Sequence, residues 1–427
     1  MAERRERWRR LLAGSYLYLG LAVLLVVGTL INPAFRTGKN LQNVLQRASI
    51  VGVLSVGMTL VILTAGIDLS VGSLLSLGSV LCAMLLMGRT WNAASYVAVP
   101  CSAVAVFIGV AALASRLLGG VVIGKALRTV VSLSIGGVVA GLVVWLLAGL
   151  VMSGFGVLAV LICVPLTTGL LGALSGSLVA KFKLQPFIVT LAMMIAAVGL
   201  AKIIAGKGGQ VVSLFYADAH AAPKVNEDVE NMLAERGRGF GPESFNQMGK
   251  RSLLGRTLPV PALFFLGAVV LAHFLLTRTP FGRYTYAVGG NEEAARLSGV
   301  NIERVKIAVY AVSGALAGLA GVLFCAQYDQ GTPAAGDKTE LEAIAAVVIG
   351  GTSLMGGRGK VLGTLVGVLF FAYLTNILNL AGYRSEHQQV VTGLTIVIAV
   401  ILQEGWLARG FRLLRMRFGG RKEEEET

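Results

Sequence analysis

Charge is scarce in this sequence of 427 residues: Asp, Glu, Lys and Arg make up 14% of it, where a soluble globular domain carries about 25%. Hydrophobic residues reach 55% and the mean hydropathy is +0.76. Together these values exclude an ordinary soluble domain. Histidine is scarcer still, and His220, His273 and His387 stand too far apart to form a metal pattern. His273 lies inside an apolar run and reads as a packing residue rather than a proton carrier. Cys82, Cys101, Cys163 and Cys325 all fall in apolar runs without metal-ligand spacing, so they read as buried free thiols. No Ser–His–Asp set or carboxylate pair can be assembled. Gly119, Gly124 and Lys125 look like the start of a phosphate-binding loop, but Ala126 stands where Ser or Thr should hold magnesium. The sequence therefore shows no catalytic residue, no metal site and no cofactor site of its own.

What it does have is apolar runs long enough to cross the roughly 30 Å hydrocarbon layer of a bilayer, and 55 glycines, which let membrane helices approach closely. The expectation is an all-α polytopic membrane protein of about twelve crossings with broken or re-entrant segments. They lie near 11–31, 48–66, 69–88, 96–118, 129–152, 155–180, 187–205, 259–277, 305–326, 341–356, 361–380 and 388–405. The net charge of +15 would suggest nucleic acid in a soluble protein; here it fits the enrichment of Lys and Arg in cytoplasmic loops, and no nucleic-acid partner is expected. Arg4, Arg5, Arg7, Arg9 and Arg10 form a basic tail ahead of the first crossing, with no evident cleavage site. Basic residues follow the fourth, sixth, eighth and twelfth crossings, which puts both termini in the cytoplasm. Arg36, Lys39 and Arg47 oppose that orientation. The polar stretch 206–258 lies outside in this topology, and 406–427 reads as a charged cytoplasmic tail.

Two places interrupt the apolar pattern. Residues 48–87 would make one helix about 60 Å long, so the chain must turn at Thr64 to Ser73, where Gly66 can take a left-handed conformation. Asp68 or Ser70 can cap the following helix. A carboxylate amid forty apolar residues is expensive, so Asp68 is a candidate for the translocation path, with Ser70 and Ser73 beside it. A bare capping role for Asp68 is equally compatible. In the other half, Gly350, Gly351, Gly356 and Gly357 suggest a bent or re-entrant backbone that lines or gates the path. Close helix packing at each glycine is the plainer alternative.

The cytoplasmic stretch 279–300 carries a short-helix signature. Asn291 can cap it, Glu292 and Glu293 suit its first turn, and Gly299 follows its end. Ala294, Ala295 and Leu297 offer an apolar face that could dock in a partner or rest on the protein's own loops.

Several long stretches resemble the permeases of bacterial ATP-binding-cassette importers for ribose, xylose, galactose and related sugars. They are GMTLVILTAGIDLSVGS (57–73), LVAKFKLQPFIVTLAMM (178–194), TPFGRYTYAVGGNEEAARLSGVNIERVKI (279–307), VSGALAGLAGVL (312–323) and AGDKTELEAIAAVVIGGTSLMGGRGKVLGTLVG (335–367). The resemblance implies a permease domain over 1–405 that works as a homodimer in the inner membrane. Its partners would be a two-cassette ATPase holding ATP and magnesium, and an extracytoplasmic sugar-binding protein. Gly290, Asn291, Glu292, Glu293, Ala294, Ala295, Arg296 and Gly299, within the loop 278–304, would form the element seated in the ATPase. Residues 90–152 depart from the family pattern as an added helical hairpin on a ten-helix core. The segment 206–258 is longer than usual, and Arg384 to Gln389 is more polar. A self-sufficient ion-coupled transporter is the alternative, and it would depend on Asp68 alone.

Overall fold

The computed structural model describes residues 2–87, 93–118, 125–153, 156–206, 211–213, 245, 248–249, 252–253 and 258–403. Most of the 206–258 segment, residues 119–124 with Gly119 and Gly124, His220, and residues 404–427 lie outside these residues. Among the described residues the chain is almost entirely helical. In order come α1 (Ala2–Ile31), α2 (Gly38–Leu63), α3 (Val71–Met87), α4 (Ala93–Leu117), α5 (Lys125–Ser153), α6 (Gly156–Lys181) and α7 (Pro186–Ala205). They are followed by α8 (Val260–Arg278), α9 (Pro280–Gly290), α10 (Glu292–Leu297), α11 (Ile302–Tyr328), α12 (Thr339–Ile349), α13 (Val361–Leu380) and α14 (Ser385–Gln403). Two-residue antiparallel pairs join Val212–Ser213 to Gln330–Gly331 and Ser252–Leu253 to Leu258–Pro259.

Eight of these helices, α2, α4 to α8, α11 and α13, are long and apolar enough to cross a membrane, and Leu17–Ile31 and Val71–Leu86 are shorter apolar helices. The expected crossing at 341–356 is not a helix of that length. Helix α12 stops after 11 residues, because Gly351 takes φ +87° and the amides of Gly351 and Thr352 turn back onto Val348 and Val347. That is the hydrogen-bond pattern of a glycine helix stop. His273 also differs from expectation: it is exposed on α8 instead of packed. Cys82, Cys163 and Cys325 are buried and free, and Cys101 is half-buried and free.

Helix α11 is the axis of the core. Its small residues let three neighbours close on it: Gly169, Gly172 and Gly176 of α6 meet Ala311, Tyr310 and Ile307, and Gly318 meets Gly78 of α3. Gly57 of α2 packs on Ser313. Such stripes of small residues bring backbones together where no hydrophobic drive separates helix from lipid. Hydroxyls buried in these helices satisfy themselves on the preceding turn, as Thr59 does on Ser55 O and Thr168 on Val164 O. Polar ties also join helices: Asn40 and Asn376 exchange amide hydrogen bonds at 3.0 and 2.8 Å, and the Thr59 and Thr364 hydroxyls meet at 2.7 Å.

Candidate functional site

The break after α2 is a helix stop whose left-handed residue is Ala65 (φ +58°), not Gly66. The amides of Ala65 and Gly66 turn back to Ile62 O and Val61 O. Gly66 is needed for space instead, since a Cβ there would press on the Tyr310 hydroxyl and Val61. Asp68 is fully buried. Its Oδ1 accepts from the Ser70 amide at 3.0 Å and the Ser70 hydroxyl at 2.5 Å. Its Oδ2 accepts from Ser313 of α11 at 3.1 Å. The carboxylate therefore stitches the break to the central helix and faces no open space in this conformation. Ser70 begins α3 through its carbonyl, which accepts from Leu74. Thr190 of α7 holds the other side of the break through Ile67 O.

The glycine-rich bend 350–359 meets this break directly. Gly350 lies against the backbone of Gly363, and Gly351, Gly356 and Gly357 all have positive φ. The last carbonyls of a helix have no partner within it; that of Leu63 accepts from the Gly357 amide at 3.0 Å. Gly356 packs on Ala65.

The end of α9 closes the same junction. A Cβ on Gly289 would fall on the Leu63 carbonyl, and one on Gly290 would meet nothing. Gly289, which the motif reading passed over, is thus the residue of close approach. Tyr286 reinforces it by donating to Gly359 O at 2.9 Å. Three backbones from distant parts of the chain, at Leu63 to Ala65, Gly289 and Gly356–Gly357, meet there with almost no side chain between them.

Beyond Gly290 the chain forms α10. Asn291 accepts from the Ala294 amide at 2.9 Å, and Gly299 ends the helix at φ +82°. Glu293 and Arg296 pair at 2.6 Å, which pushes the Arg296 guanidinium above its ordinary pKa. Glu292 reaches Lys306 of α11 at 2.6 Å. Ala294, Ala295 and Leu297 do not share one face: Ala295 is buried at 4% exposure, whereas Leu297 is 81% exposed. In a helix of about 100° per residue, successive alanines cannot point the same way. One anchors the helix and Leu297 stands free.

Ser73, of the three residues expected along the path, opens onto a cleft of about 530 Å³ between α3, α7 and residues 336–340. Lys202, Asp337, Lys338 and Glu340 share that cleft. These four escaped the sequence reading, although the argument that singled out Asp68 applies equally to carboxylates beside an apolar run.

A profile of the family described as branched-chain amino acid transport system permease component matches residues 127–400. The ribose import permease protein RbsC of Bacillus subtilis (strain 168) is 35% identical over 385 residues, 90% of this chain and 91% of the relative. RbsC of Escherichia coli (strain K12) is 35% identical over 386 residues, with 90% and 91% covered. The xylose transport system permease protein XylH of Escherichia coli (strain K12) is 31% identical over 414 residues, with 89% and 88% covered. No solved structure gives a significant match. The profile spans more than half of the chain and these relatives nearly all of it, so the chain belongs to the permease-component family of membrane transport systems.

Proposed function

We propose that this chain is the membrane-spanning permease subunit of an ATP-binding-cassette importer that carries a monosaccharide of the ribose or xylose kind by alternating access. The observation that carries the mechanism is the junction at Gly289. Helix α10 projects Leu297 outward, and the adjoining α9 rests on the stops of both broken segments. A displacement of α10 by an ATPase would reach the α2–α3 break and the 350–359 bend through backbone contact, with no soft side chain to absorb it. ATP and magnesium would reside on that ATPase, a two-cassette subunit, and an extracytoplasmic binding protein would deliver the sugar. The chain would act as a homodimer.

In this reading both termini lie in the cytoplasm of a bacterial inner membrane. Residues 329–338, which run through successive turns, and α12 together make one broken crossing, and twelve crossings result once α1, α3 and α14 are included. Helices α4 and α5 are the hairpin added to a ten-helix core. Gly136 packs on Phe107 and Ala111 between them, and Ser102 and Thr167 tie α4 to α6. An ion-coupled transporter is not favoured by relatives that are permeases of import systems.

The test is co-purification after gentle extraction of the wild type and of the Glu292→Lys, Glu293→Lys double variant. A cassette ATPase should accompany the wild type and be lost from the double variant, while the permease still melts cooperatively; the Glu293–Arg296 pair is exposed, and the Lys306 side chain that meets Glu292 is 16% exposed. An ATPase that stays bound to the reversed loop would remove α10 from the docking interface.

A further inference from the structure

Among the described residues, Tyr310 of α11 is the largest fully buried side chain, at 1% exposure. Its root is held by α6: a Cβ on Gly172 would fall on the Tyr310 carbonyl, and one on Gly176 would press on Tyr310 Cβ. Its tip is not held. Among the described residues no group exchanges a hydrogen bond with the Tyr310 hydroxyl, although that oxygen is buried. A buried tyrosine hydroxyl usually finds a partner, because a buried donor without one destabilises the state that contains it.

The hydroxyl lies against the break between α2 and α3. A Cβ on Gly66 would sit 2.6 Å from it, and Asp68 is within electrostatic reach of it. Asp68 has a matching vacancy. A carboxylate offers about four acceptor positions, and Asp68 uses three, two on Oδ1 for Ser70 and one on Oδ2 for Ser313. Ser313 and Tyr310 are three residues apart on α11, so they share a face and lie about 4.5 Å apart along the axis. The helix thus has a spare donor one turn from the donor that Asp68 now uses.

The break itself is under strain. Ala65 holds φ +58°, a left-handed conformation that crowds its Cβ. Just ahead of it, the Leu63 carbonyl accepts from the Gly357 amide, and Gly289 packs on the same carbonyl. A displacement arriving through α9 therefore reaches residues 63–65 first. It then carries residues 66–68 past the tip of Tyr310, whose root stays clamped against α6.

We propose that Tyr310 is a positioning residue of the transport cycle: in a second conformation of the break its hydroxyl donates to Asp68, and the carboxylate exchanges its hold between Ser313 and Tyr310 as the importer turns over. Packed helices shift between discrete arrangements of this kind, not continuously. The proposal rests on the transport reading above and adds to it the residue that holds the break in its other state.

The experiment uses the importer reconstituted with its ATPase and binding protein in proteoliposomes, with ribose and xylose as probes, and follows hydrogen exchange at residues 64–70. Tyr310→Phe keeps the ring and removes only the hydroxyl. It should lower the maximal rate of ATP-driven uptake about tenfold or more, the scale of one hydrogen bond to a charged group lost from one of two states. The half-saturating concentration of sugar-loaded binding protein should not change. The melting temperature should hold or rise, because in the conformation described the hydroxyl has no bond to lose. Exchange at 64–70 should slow, whereas Ser313→Ala should quicken it, and the double variant should return towards the wild type. Wild-type uptake by Tyr310→Phe overturns the proposal and leaves the importer reading intact. A Tyr310→Phe variant that melts earlier or fails to fold, or whose exchange at 64–70 quickens, overturns it too, since the hydroxyl would then support the present conformation. Absence of ATP-driven uptake in the wild type overturns the transport reading instead, and the exchange rates alone then decide whether Tyr310 pairs with Asp68.

Discussion

Helices α2 and α4 would both be chosen as membrane spans by hydropathy, and α4 is the more apolar of the two. Yet 78% of the apolar window of α2 is buried within the protein, against 22% for α4 and 17% for α5. The burial order is the reverse of what water-soluble proteins show, where the most apolar segments go inside. In a bilayer, lipid accepts Leu and Trp as readily as a protein core does, so a strongly apolar helix such as α4 or α5 gains little from burial. Trp145 at 75% and Leu142 at 59% exposure illustrate the outward face of α5. Burial goes instead to helices whose small residues meet a neighbour's backbone, as Gly57 of α2 meets Ser313, and only protein can satisfy a carboxylate such as Asp68.

That contrast can be broken or sharpened by substitution. The largest effect is expected at Gly172, where a Cβ would fall on the Tyr310 carbonyl of α11. Gly172→Val should destabilise the detergent-solubilised protein by about 3 kcal/mol or more, since neither backbone can give way; a thermal melt would read it. Retention of the wild-type melting point would mean that α6 and α11 are not packed as described. A smaller effect is expected for Ser313→Ala, which removes one of three donors to the buried Asp68 carboxylate. A loss of about 1–3 kcal/mol is the scale of a buried polar group deprived of a partner, and faster hydrogen exchange at residues 64–70 should accompany it. The smallest belongs to the other region. At Gly141 of α5 an added side chain meets nothing within 4 Å, so Gly141→Val should change stability by no more than about 0.5 kcal/mol. A large loss there would show that α5 has a partner that covers it.

The expectations divide along a similar line. The break near Asp68, the bend at Gly350 to Gly357, and the short helix opened by Asn291 and closed by Gly299 were all legible. Each is governed by residues within one turn of one another: a left-handed stop, a missing side chain, a carboxylate too polar for its run. Less local expectations fared worse. The left-handed residue is Ala65, because Gly66 is occupied in giving room to Tyr310 from α11. Ala295 and Leu297 part company, because Ala295 is drawn into the core. Asp337 and Glu340 were overlooked because their place at the cleft depends on where 329–338 lies along α3.

Membrane residence, the helical character of the chain and the positions of its breaks were decided by the sequence alone, since transfer free energies and backbone preferences are set residue by residue. The meeting of Leu63, Gly289 and Gly357, the burial of Asp68 on Ser313, and the charged cleft beside Gly199 were decided by tertiary structure. They join residues far apart in the chain, Asp68 to Ser313 across 245 positions, and no local preference specifies which glycine finds which carbonyl. Only the packing of α11 against α2, α3 and α6 brings them into register.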